Sequence, residues 1–428
     1  MSSISRAALA LALCVPLLHA CGGNSNDGYV RLVNATTDYS ALSLYQSTTE
    51  LTSSVASDQT GGYEGLDPGT YTLNIRNASS SSNAASTSQT LAKGDHFTVV
   101  AYVNAGALAT ATLTDDEDKP SSGYAKLRIF NAAPASAASV DVYVTATACA
   151  SLTSADTAVA TSITGLQSGY DTIVAASGGT SWNVCVTGAG DRSDLRLSTA
   201  ATFKSQEIAT LILTKSSGGV LLNGLLLDQQ GSLAGYANTS ARLRLVADAA
   251  GGGVVSASAN GTTLGSSYAS PTVSAWRTVS AGDLSLTLSI GGVAITKTGL
   301  TASAGGDYTL LVAGTAGSPT INLLTDDDAT STSSAAPVRI RLVNGLNGLS
   351  GDAMLTANGV VVGDSVAFGA ASDTANVAAS AGAADLLVSQ AGTTLWEATD
   401  QTLASGSVYT VFLLGDAGAV HGVLRVNN

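Results

Sequence analysis

The 428-residue sequence predicts an all-β fold: tandem immunoglobulin-like antiparallel β-sandwich domains behind a cleaved signal peptide. Three observations predict it. Short β-branched runs alternate with Gly, Ser and Asn clusters along almost the whole chain. Charged residues make up only 11% and aromatics 5%, while 45% is hydrophobic, which fits neither a disordered chain nor an amphipathic helical one. Finally, one strand motif returns four times.

That motif is Arg31-Leu32-Val33-Asn34-Ala35. It recurs as Arg128-Ile129-Phe130-Asn131-Ala132, Arg244-Leu245-Val246-Ala247-Asp248 and Arg341-Leu342-Val343-Asn344-Gly345. The arginines are 97, 116 and 97 residues apart, and each interval suits one sandwich of about 100 residues. Aliphatic residues flank every arginine: Val30 and Leu32, Leu127 and Ile129, Leu243 and Leu245, Ile340 and Leu342. Strand alternation puts these on one face and the arginine on the other. With the core on the first face, Arg31, Arg128, Arg244 and Arg341 are expected in solvent, serving solubility and edge protection. Contact with an anionic glycan is the functional alternative. Asn34, Asn131 and Asn344 are expected to bond backbone groups where the strand turns.

A second landmark falls late in each repeat. Gly94-Asp95-His96-Phe97-Thr98-Val99-Val100 corresponds to Gly306-Asp307-Tyr308-Thr309-Leu310-Leu311 and Gly406-Ser407-Val408-Tyr409-Thr410-Val411. The second repeat has Glu207-Ile208-Ala209-Thr210-Leu211-Ile212 in that slot. A tight turn followed by a continuous apolar run reads as a central strand buried on both faces. Acidic or polar ends of the last strands then set the modules at 29–118, 124–230, 236–328 and 337–428.

The first 20 residues read as a targeting segment. Arg6 is its single positive charge, and the apolar run from Ala7 to Leu18 is too short to span a bilayer. Leu18-His19-Ala20-Cys21-Gly22 resembles a bacterial lipobox, although His19 departs from the small residue usual there. The resemblance implies removal of residues 1–20, acylation of Cys21 and attachment to the outer membrane. Two or more acyl chains would hold the protein stably, whereas one would not. An ordinary secretory signal cleaved near Ala20 is the plainer alternative. Residues 21–28 would form a flexible polar tether.

The formal charge is −13, and losing Arg6 with the signal leaves −14. An acidic chain repels nucleic acid, which is therefore not an expected partner. Cys14 leaves with the signal and Cys21 is the lipid site, so Cys149 and Cys185 are expected to form a disulfide in an oxidising periplasm.

The Arg-hydrophobic-hydrophobic-Asn-Ala strand, Val140-Asp141-Val142-Tyr143-Val144 and Pro68-Gly69-Thr70-Tyr71-Thr72-Leu73 together resemble the bacterial domain of unknown function 4397 family. The resemblance is fuller for modules one and two than for three and four, which lack the Val-Asp-Val-Tyr step. It implies envelope or secreted β-sandwich modules, often in tandem, with no established activity.

Little in the chain points to catalysis. Behind the signal only His96 and His421 could serve as an imidazole base, and no nucleophile elbow, zinc-binding His pair, phosphate loop or dinucleotide fingerprint is present in the sequence. No cofactor is expected. Trp182, Trp276 and Trp396 fall singly in three modules, and packing is the expectation, with sugar stacking as the alternative. The acidic runs containing Asp115, Asp116 and Asp118, and Asp326, Asp327 and Asp328, are expected to be solvated linkers. Calcium at these module ends is the alternative, although the spacing is not that of a calcium loop. The reading is a non-catalytic envelope lipoprotein: four sandwiches in a row, held to the membrane through Cys21, for interaction, adhesion or scaffolding with a protein or glycan partner. A carbohydrate- or calcium-binding adhesin is second, and an unrecognised periplasmic hydrolase third.

Overall fold

The computed structural model describes residues 27–77, 80–135, 138–175, 181–328, 330 and 335–427. Cys21 and nearly all of the tether lie outside the described residues. Module one shows the plan. Its strands are β1 (Gly28–Asn34), β2 (Ala41–Gln46), β3 (Thr49–Ala56), β4 (Gln59–Thr60), β5 (Glu64–Leu66), β6 (Gly69–Asn77), β7 (Asn83–Leu91), β8 (His96–Asn104) and β9 (Ala107–Thr114). One sheet has β1 between the broken strand β4–β5 and β8, with β9 outside; the other runs β3-β2-β6-β7. The later modules repeat this arrangement from first strands Tyr124–Asn131, Ser240–Ala249 and Val338–Asn344.

The architecture is thus tandem two-layer β-sandwiches, and the described residues contain no α-helix, only two single 3-10 turns. Within otherwise antiparallel sheets, each first strand runs parallel to the late apolar strand: β1 to β8, and its equivalents to Ile208–Lys215, Asp307–Thr315 and Val408–Asp416. The motif strand is therefore central in its sheet, unlike the edge strand that opens an immunoglobulin constant domain.

Alternation along β1 and β8 divides their side chains as the pattern requires. Val30, Leu32, Val99 and Ala101 enter the core of module one, against Leu42, Leu44, Leu73 and Ile75 of the second sheet. Val33 and Val100 lie on the other face, and that face is covered too. With Ala35 and Leu113 they pack against Phe130, Ala132, Ile212, Leu225 and Leu227 of module two. Modules three and four meet in the same way through Val246, Leu311, Ala313, Val343, Phe412 and Leu414. Equivalent positions of both modules enter each cluster (Val33 and Phe130, Val246 and Val343), so the two contacts use the same sheet face of each repeat, as an isologous interface does.

Four sandwiches in a row is accordingly corrected to two back-to-back pairs. The outer sheet face read as solvated is buried because its partner repeat supplies the apolar cover. Modules two and three are joined more lightly, by backbone bonds from Gly218 N to Gly305 O (2.7 Å) and from Asp328 N to Gly218 O (3.1 Å), and by Ser216 Oγ donating to Gly305 O.

Within module two the Cys149–Cys185 disulfide is formed, with Cα atoms 5.4 Å apart. It lies beneath Tyr143 in a small satellite core. Trp182 and Trp396 pack against the cores of modules two and four. Gly422 leaves room for the Trp396 indole, since a Cβ there would sit 2.2 Å from the ring.

Candidate functional site at the module interfaces

The recurring arginines are not in solvent. Arg31, Arg128, Arg244 and Arg341 are 2%, 5%, 2% and 4% exposed, which overturns the expectation of a soluble outer face. The sequence pattern placed them correctly opposite the core. What it lacked was the second sandwich lying on that face.

Each arginine sits across the parallel strand pair from a threonine: Arg31 from Thr98, Arg128 from Thr210, Arg244 from Thr309 and Arg341 from Thr410. In all four the guanidinium Nε donates to that hydroxyl, at 2.7, 3.2, 2.8 and 3.3 Å. The register fixes the head group in the plane between modules, where one carboxylate per pair meets it.

In the first pair that carboxylate is Asp115, 2% exposed. It accepts from Thr98 Oγ1 and from Tyr63 OH (2.6 Å), and Arg31 lies 3.8 Å away. Arg31 is also stacked over Tyr63 and donates across the interface to Gly231 O (2.6 Å) and Asp228 O (3.1 Å). Arg128, over Tyr170, donates back to Thr114 O at 3.4 Å. Gln229 and Gln230 of module two latch onto the backbone of Glu117 and Asp115. Burial pushes the Asp115 carboxyl up, while Thr98, Tyr63, Arg31 and Arg128 pull it back.

In the second pair Asp326 is shared. Arg244 reaches its Oδ1 at 2.8 Å, Arg341 bonds the same oxygen, and Thr309 donates to Oδ2 at 2.7 Å. Arg341 also donates to Thr325 O (2.6 Å) and Arg244 to Asn427 Oδ1 (2.9 Å). Asn427 Nδ2 in turn donates to Asp328 and Thr410, both at 2.9 Å. A further ion pair, Arg242 Nε to Asp307 Oδ1 at 3.3 Å, is buried beside it. Neither Asp307 oxygen has a hydrogen-bond partner, and burial pushes this carboxyl up to about 8 against the pull of Arg242. Trp276 is held by both Arg242 and Arg244, whose guanidinium carbons lie 4.4 and 4.5 Å from the ring centre.

The four positions equivalent to Asp115 alternate in chemistry. Asp115, Gln229 and Asn427 each donate a backbone N–H to the residue two before the interface threonine, and Asp326 pairs with Asp307 at the same register. Odd modules thus carry the acid and even modules an amide. At these four positions each interface therefore sets one carboxylate among two motif arginines, and the amide supplies hydrogen bonds where a second acid would stand; the second interface adds buried Asp307 and Asp328, both beside Arg242.

The acidic runs are therefore not solvated linkers throughout. Asp115, Asp326 and Asp328 are buried, while Asp116 pairs with His96 (3.2 Å) and exposed Asp327 with Arg339 (2.6 Å). Asp118 contributes its backbone carbonyl to Lys126. Among the described residues no group of three or more His, Cys, Asp or Glu side chains is placed to hold a metal ion. His96 is stacked on Tyr29 and His421 is exposed on the last strand. Asn34 bonds the carbonyls of Tyr39 and Val55, and Asn344 that of Val366, as expected of strand-end asparagines.

Sequence reasoning missed Thr98, Thr210, Thr309, Thr410, Tyr63, Arg242, Asp307 and Asn427. The threonines had left a signal: a threonine at the same offset in every late apolar run.

The second interface also holds Asp248, fully buried, which accepts two bonds from Gly415 N (2.9 and 3.1 Å). Burial, aided by nearby Asp416, pushes its carboxyl up to about 7 despite those bonds. The unfolded chain loses this proton near pH 4 and the folded one near 7, so the group's ionisation increasingly opposes folding as pH rises between them. The melting temperature of wild type will fall from pH 5 to pH 8, and Asp248→Asn will flatten that slope. An unchanged slope would exclude Asp248 as its source.

Two stretches, 28–143 and 241–349, match the family model described as domain of unknown function (DUF4397). Together they span more than half of the sequence. The chain belongs to the DUF4397 family. Each DUF4397 match runs past its own module into the next, taking in both Arg31 and Arg128, or both Arg244 and Arg341. The matches thus centre on modules one and three, not on one and two as the motif resemblance suggested. No match was found among curated proteins. Among solved structures, the DUF4397 chain is similar to CBMbc, a family CBM26 module of Eubacterium rectale Amy13K crystallised with maltoheptaose. Identity is 10%, coverage 49% of this chain and 96% of that one, and the TM-score 0.15. A superposition that loose says nothing about a ligand.

Proposed function

We propose that the protein is a non-catalytic envelope lipoprotein, tethered through Cys21 to the outer membrane, whose paired sandwiches act as a stiff interaction or scaffolding module. The observation that supports this best is the use of the recurring motif chemistry within the chain. The motif arginines, their threonines and Asp115 or Asp326 are consumed in locking modules together. What each pair leaves outward is the second sheet, with polar strands such as Asn83–Leu91, and the loops at the sandwich ends, where partners usually bind.

In cells fed an alkyne-tagged fatty acid, wild type will carry the label and stay with the membrane fraction, and Cys21→Ser will lose both. Protease shaving of intact cells followed by crosslinking then assigns the face and the partner. Turnover of any envelope substrate that disappears on His96→Ala or His421→Ala would overturn the non-catalytic reading.

A further inference from the structure

Modules two and three leave a cleft of about 490 Å³ between them, within the size range of small-ligand sites. Its lining is unlike the rest of this acidic chain. Arg192, Arg196, Arg242 and Arg277 face it, four of the chain's 18 basic residues, against Asp191 and Asp194. Trp276 lines it as well, partly exposed.

The arginines differ in how far they are engaged. Arg242 is turned toward Asp307 and Asp328, and Arg196 is bonded to Asp194 at 2.6 Å. Arg192 is fixed over the Tyr143 ring, donates to Asp156 O at 3.3 Å, and keeps its Nε buried with no hydrogen-bond partner. Arg277 is exposed and donates to the Trp276 carbonyl at 3.4 Å. The Cys149–Cys185 disulfide pins the adjoining loop, since Cys149 itself borders the cleft. A site so braced loses little freedom on binding.

We propose that this cleft binds a saccharide bearing an acidic group, with Arg192 and Arg277 engaging the anion and Trp276 stacking on a sugar ring. Guanidinium groups pair with carboxylate or phosphate oxygens through parallel N–H bonds, which are among the stronger polar contacts. An indole face beside them suits the apolar face of a pyranose. The cleft has more room than a lone anion needs, and Asp191 and Ser193 at its border offer acceptors for sugar hydroxyls. The inference rests on the interaction-module reading above and adds to it a ligand class and a place.

The test uses the mature chain purified with its anchor in detergent, titrated calorimetrically with an oligogalacturonate, a phosphorylated glucosamine disaccharide, a neutral oligosaccharide and inorganic phosphate. Binding of one acidic saccharide, weakened by salt and absent for the neutral sugar, supports the proposal; which of the two binds identifies the source of the charge. Arg192→Gln and Arg277→Gln will each weaken it about tenfold or more, and exposed Arg277→Gln will do so with melting temperature unchanged. Silence with both acidic saccharides, or phosphate binding as tightly as either, overturns the proposal. Saccharide binding that survives both substitutions overturns the cleft while leaving the interaction module standing. Cleavage of the saccharide would instead sink the non-catalytic reading.

Discussion

Asp326→Ala will destabilise modules three and four by about 3–5 kcal/mol, the usual cost of removing one partner from a buried charge cluster. Arg244 and Arg341 both donate to that carboxylate, and all three side chains are 5% exposed or less. Without it two guanidinium groups remain in a space closed to water and lose the carboxylate that both of them bond, leaving threonine, asparagine and carbonyl oxygens, the rings on Arg244 and the more distant Asp328. The loss will show as a lower denaturant midpoint, reported by Trp276 fluorescence because that indole lies on Arg244. It will also show as new protease sensitivity between the two modules. Replacing the whole cluster with apolar residues (Arg244→Met, Arg341→Met and Asp326→Leu together) will recover most of the lost stability, since apolar packing avoids the desolvation cost. If Asp326→Ala melts like wild type, the carboxylate is not what neutralises the arginines.

Cys149→Ala combined with Cys185→Ala will cost module two about 3–4 kcal/mol on the chain-entropy model. The bond spans 36 residues and ties the 3-10 turn Cys149–Ser151 to the central strand Trp182–Gly188. The effect should stay local, because the satellite core around Tyr143 and Leu195 is separate from the contact with module one. Two unfolding transitions where wild type has one, with the earlier belonging to module two, is the expected calorimetric trace. A reductant will reproduce the shift in wild type. Equal melting of oxidised and reduced protein would show that packing alone holds this module.

Much of the fold was legible because strand periodicity is a local property. Val30, Leu32 and Arg31 sort themselves onto two faces whatever surrounds them, and the repeat of that pattern places four sandwiches. The cover over the second face is not local. It depends on Phe130, Ile212 and Leu227 arriving from the next repeat, about 100 residues away. One clue was present. The Thr98-Val99-Val100-Ala101 run reads as buried on both faces, and β8 lies beside β1 in one sheet. A strand buried on both faces leaves no solvent side for its neighbour's arginine.

The acidic ends misled for a similar reason. Asp326-Asp327-Asp328 looks like a linker because three carboxylates in succession rarely fold inward. Here they fan out, to Arg244 and Arg341, to Arg339 and to Arg242, and only Asp327 stays in water. The disulfide, by contrast, followed from cysteine number and the expected compartment and needed no knowledge of packing.

The alternation of acid and amide at Asp115, Gln229, Asp326 and Asn427 makes the smallest self-sufficient unit of this chain a couple, not a single sandwich. An odd module on its own would expose an apolar sheet with an arginine and its carboxylate at the centre. An even module on its own would lack the carboxylate altogether. Two odd modules brought face to face would bring their acids into one interface, and two even ones would bring none. The handedness of the partnership is therefore written into one side chain per repeat. Such a chain can be lengthened or shortened only by whole couples, and an error of one sandwich would leave a sticky, charged face open.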